Sequence, residues 1–271
     1  MKKNGLKKLW SKGKPAINGW LSIGNSFTAE IMAAQDYDSV TIDMQHGALD
    51  YSDALPMLQS MRASGKTLLV RVPSNESSII MKALDAGAYG IICPMINSRA
   101  EAEAFVSALR YPPKGTRSFG PTRANYAAGS GYSKEANNEI LAIAMIETAE
   151  ALSNLEEIVT TPGLDAVYIG PADLTLDVMK GDLPPALDRE EPEMIEVIRR
   201  ILSAAKGAGI RACLHCGTAK YAVQAIKWGF DLTTISGDSR LLAAASEKSV
   251  EEARLLLNGG SPKSSELKGG Y

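Results

Sequence analysis

The sequence is poor in cysteine, in histidine and in long apolar runs, and each shortage excludes a class of protein. Among 271 residues there are three cysteines and two histidines. Three cysteines cannot form the disulfide framework of a small secreted domain. No run of about 18 apolar residues exists, so a membrane-spanning helix is not expected. Residues 1–16 are basic but lack the apolar stretch of a secretory signal, and the expected location is the cytoplasm.

A bias of charge is also missing. The chain carries 29 basic and 31 acidic residues, for a net charge of −2. No basic block predicts a nucleic acid partner, and no acidic tail predicts a basic one. With 45% hydrophobic residues the chain can bury a full core, and its length suits one α/β domain. We expect that domain at 1–257, with a polar lead-in at 1–17 that holds one helical turn at most. A polar, Gly- and Ser-rich tail at 258–271 is expected to be flexible.

Eight short apolar runs alternate with helical patterns along the chain. Such runs, bounded by Gly and Pro, predict buried strands. The predicted strands are 18–24, 39–44, 67–72, 88–95, 141–146, 165–170, 210–216 and 231–236. Strict alternation at this length predicts a single (β/α)8 TIM barrel. A doubly wound sheet is the alternative, but eight even units favour closure.

Polar side chains follow several of these strands, at the end where each strand stops. They are Asp43, His46, Arg71, Glu147, Asp173 and Asp238. Barrel enzymes carry their chemistry at this end. Glu147 and Asp173 follow strands joined by one crossover helix, so they should be neighbours. Two such carboxylates repel unless a cation or a proton joins them, which favours a divalent cation. The alternative is that each acid caps the helix after it.

No predicted strand ends in lysine. Lys66 stands at the start of the third strand, on the opposite face, which argues against a Schiff-base mechanism. Cys213 and Cys216 form a CxxC motif, but strand alternation places them on opposite faces. Neither a shared metal nor a disulfide is therefore expected. His215 shares the face of Cys213, and we expect it to be structural.

One segment interrupts the alternation. Residues 111–140 connect the fourth helix to the fifth strand, whereas such connections usually take about 2–6 residues. The length and the Gly, Pro, Arg and Tyr content indicate a function or an interface. Arg117 and Arg123 could bind an acidic end of a substrate, since guanidinium groups bind carboxylates bidentately. The alternative is that both arginines pair with local acids such as Glu135 and Glu139.

Six motifs together resemble the class II pyruvate-dependent aldolases of the HpcH/HpaI family, which includes 4-hydroxy-2-oxo-heptanedioate and 2-dehydro-3-deoxyglucarate aldolases. The motifs are IDMQHG (42–47), LLVRVP (68–73), LDAGAYGIICPM (84–95), RYPPKGTRSFGPTRA (110–124), MIETAEALSNLEEI (145–158) and DAVYIGPADL (165–174). The resemblance covers roughly residues 18–245. It implies a (β/α)8 barrel that assembles into a homo-hexamer, with the last helix, at 239–257, exchanged between subunits.

The resemblance also implies the site. It implies a divalent metal, Mg²⁺ or alternatively Mn²⁺ or Co²⁺, held by Glu147 and Asp173. The catalytic residues it implies are His46 as acid and base, Asp85 as the partner that orients it, Arg71 facing the pyruvyl oxygen, and Asp43. For substrate binding it implies the backbone of Gly170, Ala172 and Asp173 around the pyruvyl carboxylate, to which the long segment adds Arg123.

The activity implied is reversible cleavage of a 4-hydroxy-2-oxo acid to pyruvate and an aldehyde through a metal-stabilised enolate. The expected partner is thus a small 2-oxo acid, with no nucleic acid or membrane. Three alternatives stay open: an oxaloacetate decarboxylase, a lyase for CoA-linked hydroxy acids, and a catalytically silent oligomeric scaffold. Two positions near the expected metal depart from the family pattern: Gln45 stands where Glu is frequent, and Met145 where Gln is frequent.

Overall fold

Eight parallel strands close into a barrel. The computed structural model describes residues 1–261. The strands are β1 (Ala16–Leu21), β2 (Ser39–Asp43), β3 (Thr67–Arg71), β4 (Gly90–Cys93), β5 (Leu141–Ile146), β6 (Ala166–Ile169), β7 (Arg211–Cys216) and β8 (Leu232–Ile235). Each strand pairs with the next, and β8 pairs with β1 in parallel, so the sheet has no edge. The predicted (β/α)8 TIM barrel is confirmed, and the doubly wound sheet is excluded.

Helices alternate with the strands. They are α1 (Gly5–Trp10), α2 (Ser26–Ala34), α3 (Tyr51–Ser60), α4 (Ser77–Asp85), α5 (Arg99–Leu109), α6 (Ala124–Ala128), α7 (Tyr132–Glu139), α8 (Ala149–Ser153), α9 (Leu155–Val159), α10 (Pro171–Val178), α11 (Pro192–Gly207), α12 (Ala219–Trp228) and α13 (Asp238–Leu257). Ser98 and Glu101 form a capping box that begins α5, as a Ser-x-x-Glu pattern predicts. Within residues 1–261, no helix is long and apolar enough to cross a membrane.

Strand alternation divides the core into two layers. Side chains that point into the barrel, such as Leu69 and Tyr168, form one buried cluster. Their strand neighbours, such as Val70, pack against the helices in a second and larger cluster. Cys213 lies in the inner cluster and Cys216 in the outer one, and both are free thiols. The prediction that the two cysteines occupy opposite faces is therefore confirmed.

The N-terminal residues close the amino end of the barrel. In place of a purely polar lead-in, α1 buries Leu6 and Trp10 against the barrel interior. The Asn4 side chain caps the helix by accepting hydrogen bonds from the backbone of Leu6 and Lys7. The Trp10 indole donates to the carbonyl of Asp231 at 3.0 Å. The sequence prediction missed this helix because six residues are too few to show a helical period.

The long segment 111–140 forms α6 and α7 at the same end. Lys3 donates from Nζ to the carboxylates of Glu135 at 2.6 Å and Glu139 at 3.0 Å. These contacts hold the segment against the N-terminal residues. The two acids thus pair with Lys3, whereas Arg117 pairs with another acid of the chain, Asp85, at 2.6 Å.

The final helix, α13, is exposed along most of its length. Asp238 is its only buried residue. The large apolar side chains that it leaves exposed are Leu241, Leu242, Val250, Leu255, Leu256 and Leu257. Exchange of this helix between subunits and the hexamer stay predictions. Of the tail predicted to be flexible, residues 262–271 lie outside the described residues.

Candidate active site at the carboxyl end of the barrel

A cavity with about 740 Å³ of free space opens where the strands end. Strand ends from most of the barrel contribute to it, as the parallel topology requires. Its lining residues are Trp20, Ser22, His46, Arg71, Met145, Glu147, Gly170, Ala172, Asp173, Leu187, His215, Ser236, Gly237, Ser239 and Arg240. Within the described part of the chain, no lysine lines this cavity.

Glu147 is the buried carboxylate of the site. It follows β5 and is only 1% exposed. Its Oε1 accepts a hydrogen bond from the backbone of Met95 at 2.9 Å, which Met95 can offer by adopting a φ of 54°. The other oxygen, Oε2, is buried and has no hydrogen-bond partner among residues 1–261. A buried acceptor without a partner is costly, so this oxygen is suited to an ion or a ligand.

The electrostatics of Glu147 favour the same conclusion. Burial raises the pKa of its carboxyl to about 7, and the negative charge of Asp173 contributes in the same direction. Asp173 lies in the first turn of α10 and lines the same cavity. A bound cation would relieve both the burial of the charge and the repulsion between the two acids. The pair therefore fits a divalent cation.

The donor set is small. Within the described residues, no group of three or more His, Cys, Asp or Glu side chains is arranged to hold a metal ion. Structural zinc sites are built from four clustered Cys, His or carboxylate ligands, and no such cluster exists among the described residues. Mg²⁺ needs only one or two protein carboxylates and takes its other ligands from water and substrate. Glu147 and Asp173 match that pattern.

Gly170 makes room for the Glu147 carboxylate. A Cβ atom built at this position would lie 2.6 Å from Glu147 Oε2 and 3.0 Å from Cε of Met145. Its backbone, with φ of −97°, is one that any residue adopts, so the requirement for glycine is steric. Pro171 follows at the first position of α10, where its missing N–H is no loss.

Arg71 and Asp43 form a buried bidentate ion pair. The Nε and Nη2 groups of Arg71 donate to the two oxygens of Asp43 at 2.7 and 2.6 Å. The indole of Trp20 donates to Asp43 Oδ2 at 3.1 Å and lies 4.9 Å below the guanidinium carbon. Burial raises the pKa of Asp43, but the hydrogen bonds and charge of Arg71 outweigh this and leave it below its ordinary value. Asp43 is thus charged and holds Arg71 in place.

His46 is held at the rim through its backbone. Asp43 Oδ1 accepts hydrogen bonds from the backbone of Gln45 at 3.1 Å and of His46 at 3.3 Å. The imidazole itself is exposed, lines the cavity and makes no hydrogen bond to another residue in the range 1–261. One carboxylate therefore fixes both Arg71 and the turn that carries His46.

A sequence profile described as HpcH/HpaI aldolase/citrate lyase matches residues 17–245. The chain belongs to this family. The family resemblance predicted from the six motifs is confirmed, and the chain is an aldolase-type lyase with a TIM-barrel fold.

Individual members of the family cover nearly the whole chain. A hydroxypyruvate/pyruvate aldolase of Rhizorhabdus wittichii strain RW1 is 44% identical over 253 residues, which are 93% of this chain and 100% of that protein. A hydroxypyruvate/pyruvate aldolase of Deinococcus radiodurans is 34% identical and covers 95% of both chains. The crystal structure of an HpcH/HpaI aldolase/citrate lyase family protein from Burkholderia cenocepacia J2315 has a TM-score of 0.85 at 31% identity, covering 93% of this chain and 100% of that one.

Two residues that were predicted at the site, Asp85 and Arg123, lie elsewhere in the structure. Asp85 ends α4 and accepts a hydrogen bond from Arg117 at 2.6 Å, so it does not orient His46 of the same chain. Arg123 donates to the carbonyls of Ala86 and Leu58. Helices that follow strands return to the amino end of the barrel, and the segment 111–140 stays there. Neither Asp85 nor Arg123 therefore lines the cavity of its own chain.

Asp238 also differs from the sequence prediction. It lies at the start of α13 but does not line the cavity, because its carboxylate accepts hydrogen bonds from the backbone of Ser22 at 2.8 Å and Ile23 at 3.1 Å. It ties the end of β1 to the start of α13. The residue two positions later, Arg240, does line the cavity and was missed, although its position just after a strand end was a usable signal.

The two departures from the family pattern have different surroundings. Met145 lies under Arg71, whose Nη1 is 4.0 Å from the sulfur. Gln45 is half-buried, and its side-chain oxygen has no partner in the part of the chain that the structure describes. Neither side chain supplies a negative charge to the cavity, and among residues 1–261 the acids that line it are Glu147 and Asp173.

Proposed function

We propose that the chain is a divalent-cation-dependent aldolase that reversibly cleaves a 4-hydroxy-2-oxo acid to pyruvate and an aldehyde. The observation that carries this proposal is the unpartnered, buried Oε2 of Glu147 beside Asp173. It lies in one cavity with the guanidinium of Arg71 and the imidazole of His46. A cation site, a guanidinium and a base are therefore grouped at the carboxyl end of the barrel.

Glu147 and Asp173 would hold the cation, which would supply positive charge against the 2-oxo group, a Lewis-acid effect worth several kcal/mol. Carboxylate ligands favour Mg²⁺, Mn²⁺ or Co²⁺. The backbone N–H groups of Ala172 and Asp173 lie in the first turn of α10 and are not bonded within the helix. They provide a site for the C1 carboxylate of the substrate.

Arg71 acts on the C2 carbonyl oxygen. When the C3–C4 bond breaks, its electron pair moves toward that oxygen and gives the enolate of pyruvate. The bidentate contact with Asp43 holds the guanidinium in place before the charge develops, so no reorganisation is needed during the reaction. Asp43 is a positioning residue in this scheme, because it contacts Arg71 and the rim and not the substrate.

His46 takes the proton of the C4 hydroxyl as the aldehyde forms and returns it in the condensation direction. General base catalysis of this kind contributes roughly 10²–10⁴-fold. Its ring has no orienting partner among residues 1–261 of its own chain. We therefore include a homo-oligomer, a hexamer, in the proposal, in which Asp85 of a neighbouring subunit would face His46 and α13 would lie at an interface.

The aldehyde side of the cavity is open and carries one free cation among the residues described. Arg240 is exposed and lines it, so an acidic end of an aldehyde would meet Arg240 within the chain. The relatives named above are hydroxypyruvate/pyruvate aldolases. By that likeness we propose pyruvate and hydroxypyruvate as the nucleophilic partners.

The experiment is metal reconstitution. Protein treated with EDTA and then dialysed should release no pyruvate from a 4-hydroxy-2-oxo acid, and Mg²⁺, Mn²⁺ or Co²⁺ should restore release. Glu147→Gln and Asp173→Asn should lose most Mn²⁺ affinity, measured by electron paramagnetic resonance, while circular dichroism stays unchanged. Glu150→Gln, which alters an exposed acid three residues further along, is the matched control. Full activity in EDTA, or pyruvate trapped on the protein by borohydride, would refute the proposal.

A further inference from the structure

A chain of hydrogen-bonded side chains runs through the interior of the barrel and ends in the cavity. It lies among the apolar side chains of the inner cluster. Its members in order are Ser39 and Thr41, then Asn18, Thr234, Tyr168 and His215. His215 is the last member, and its ring lines the cavity.

The first half of this series of hydrogen bonds determines the orientation of the Asn18 amide. The hydroxyls of Ser39 and Thr41 donate to Asn18 Oδ1 at 2.8 and 3.1 Å. The amide nitrogen then donates to Oγ1 of Thr234 at 3.0 Å. All these atoms are buried, where an unpaired polar hydrogen is costly.

The second half determines where the protons lie. Since Thr234 Oγ1 accepts from Asn18, its own proton has one acceptor within reach among residues 1–261, the hydroxyl of Tyr168 at 2.6 Å. The Tyr168 proton is then directed to Nδ1 of His215 at 2.9 Å. The opposite direction would leave the Thr234 proton buried without an acceptor. Nδ1 of His215 is therefore the acceptor, and a neutral ring must carry its proton on Nε2.

The ring is also held in place and kept neutral. It packs edge-on against Trp20, with centroids 4.7 Å apart and an angle of 85°. Burial, with a smaller contribution from the charge of Arg71, lowers the pKa of His215 to about 3. Nε2 has no hydrogen-bond partner within residues 1–261. A neutral N–H donor thus faces the cavity. The ring of Trp20 contacts both His215 and the guanidinium of Arg71.

We propose that His215 is a specificity residue, whose Nε2–H donates a hydrogen bond to an oxygen that the substrate carries next to a reacting carbon. The inference rests on the proposed function and names a substrate class: hydroxylated partners, such as hydroxypyruvate or a 2-hydroxyaldehyde, are preferred over their alkyl counterparts. An alkyl group would leave the donor unpaired in a partly dry site, so the preference amounts to roughly tenfold in kcat/KM.

The first test reads the proton position without any substrate. The chain has two histidines, so solid-state NMR of sedimented protein labelled with [¹⁵N]histidine gives two rings, and His46→Asn assigns them. We expect His215 as the neutral Nε2–H tautomer at neutral pH. Tyr168→Phe, which removes the donor to Nδ1, should mix the two tautomers. A His215 ring protonated on Nδ1 in the unsubstituted protein would overturn the inference.

The second test measures discrimination. For one aldehyde, kcat/KM is compared between hydroxypyruvate and pyruvate, and for pyruvate it is compared between glycolaldehyde and acetaldehyde. His215→Leu should reduce the preference for the hydroxylated partner in one of the pairs by roughly tenfold and leave the alkyl partner within about threefold. His215→Gln, which keeps an N–H donor, should retain part of the preference.

Unchanged discrimination in both pairs for His215→Leu would contradict the specificity role, as would an equal loss with hydroxylated and alkyl partners. If the proposed aldolase function itself were wrong, the experiments would give a different result. It would appear as an unsubstituted chain without aldolase activity on any pair, while the tautomer of His215 would still be read by NMR.

Discussion

At the scale of single residues, the site depends on one carboxylate that serves several neighbours. Asp43 accepts hydrogen bonds from Arg71, from Trp20 and from the backbone of His46. It is 2% exposed and Arg71 is 8% exposed. A buried pair of this kind adds little net stability, but removing one partner leaves an uncompensated buried charge.

Asp43→Asn should therefore destabilise the fold by about 3–5 kcal/mol and lower kcat more than it raises KM, because Arg71 loses its orientation. Denaturant unfolding and steady-state kinetics measure the two effects. Asp36→Asn is the matched control, since the Asp36 side chain is exposed and lies 3.8 Å from Lys66. A stable, fully active Asp43→Asn protein would show that the pair does not organise the site.

A second prediction concerns the free energy of unfolding at acidic pH, and it rests on His215. Its pKa is 6.5 ordinarily and about 3 in the fold, so the unfolded chain binds a proton that the native chain refuses. Stability is thus lost as pH falls below 6.5, by at most about 1.4 kcal/mol per pH unit for one proton. The charged groups that face the ring are Arg71, Asp43 and Arg240.

The measurement is urea unfolding at several pH values between about 8 and 4. His215→Leu removes this titration, so the stability of the unsubstituted protein relative to the variant should fall steadily as the pH is lowered. A difference that stays constant with pH would mean that His215 is not buried in its neutral form.

Sequence reasoning placed Glu147, Asp173, Arg71 and His46 correctly in one cavity, because residues after parallel strands share one end of a barrel. It did not place His215 at the cavity, whose wall includes the ring. The hydrogen bond of His215 to Tyr168 depends on the pairing of β6 with β7, and a single strand pattern carries no information on that pairing. Asp85 was placed by motif resemblance, which gives no distances within one chain.

At the scale of elements, the turn from β6 into α10 shapes the half of the site where we propose that the metal binds. It brings Gly170 against Glu147 and places Asp173 in the first helical turn. Strands and most helices could be predicted because each has a periodic pattern and a cap or stop. The short helices α1, α6 and α7 could not, because tertiary contacts such as those of Lys3 hold them in place.

Gly170→Ala should weaken Mn²⁺ binding by an order of magnitude or more while the barrel stays folded. The added methyl group would meet Glu147 Oε2 at 2.6 Å and push the carboxylate aside. Isothermal titration with Mn²⁺ measures the affinity. Gly207→Ala is the control, because nothing lies within 4 Å of its added Cβ and Ala favours a helix interior by roughly 0.5–1 kcal/mol. Equal Mn²⁺ affinity in both variants would contradict the assigned ligand.

At the scale of the whole molecule, α13 is a helix that makes few buried contacts with the rest of the chain. Its 20 residues include one buried residue, and exposed apolar side chains such as Leu242 at 62% and Leu257 at 81% need a partner. A run of apolar residues of this kind marks an interaction surface. The imidazole of His46, which has no hydrogen-bond partner among residues 1–261, is the part of the proposed site that a neighbouring subunit would complete.

A double substitution, Leu242→Glu with Leu257→Glu, should shift a homo-hexamer toward smaller species in sedimentation velocity, since buried charges oppose association. Val223→Glu, at a 49% exposed position of α12, should leave the assembly intact. An unsubstituted chain that sediments as an active monomer would refute the assembly proposal.

The most direct test of the aldolase mechanism is the exchange of pyruvate methyl protons for deuterium, followed by ¹H NMR. Enolate formation should require Mg²⁺ and Glu147, whereas cleavage should require His46 as well. The account predicts no exchange by chelator-treated protein, exchange after Mg²⁺ is added, little exchange by Glu147→Gln, and near-normal exchange by a His46→Ala variant that no longer cleaves. Exchange that proceeds at full rate in EDTA, or that falls in His46→Ala as far as cleavage does, would contradict it.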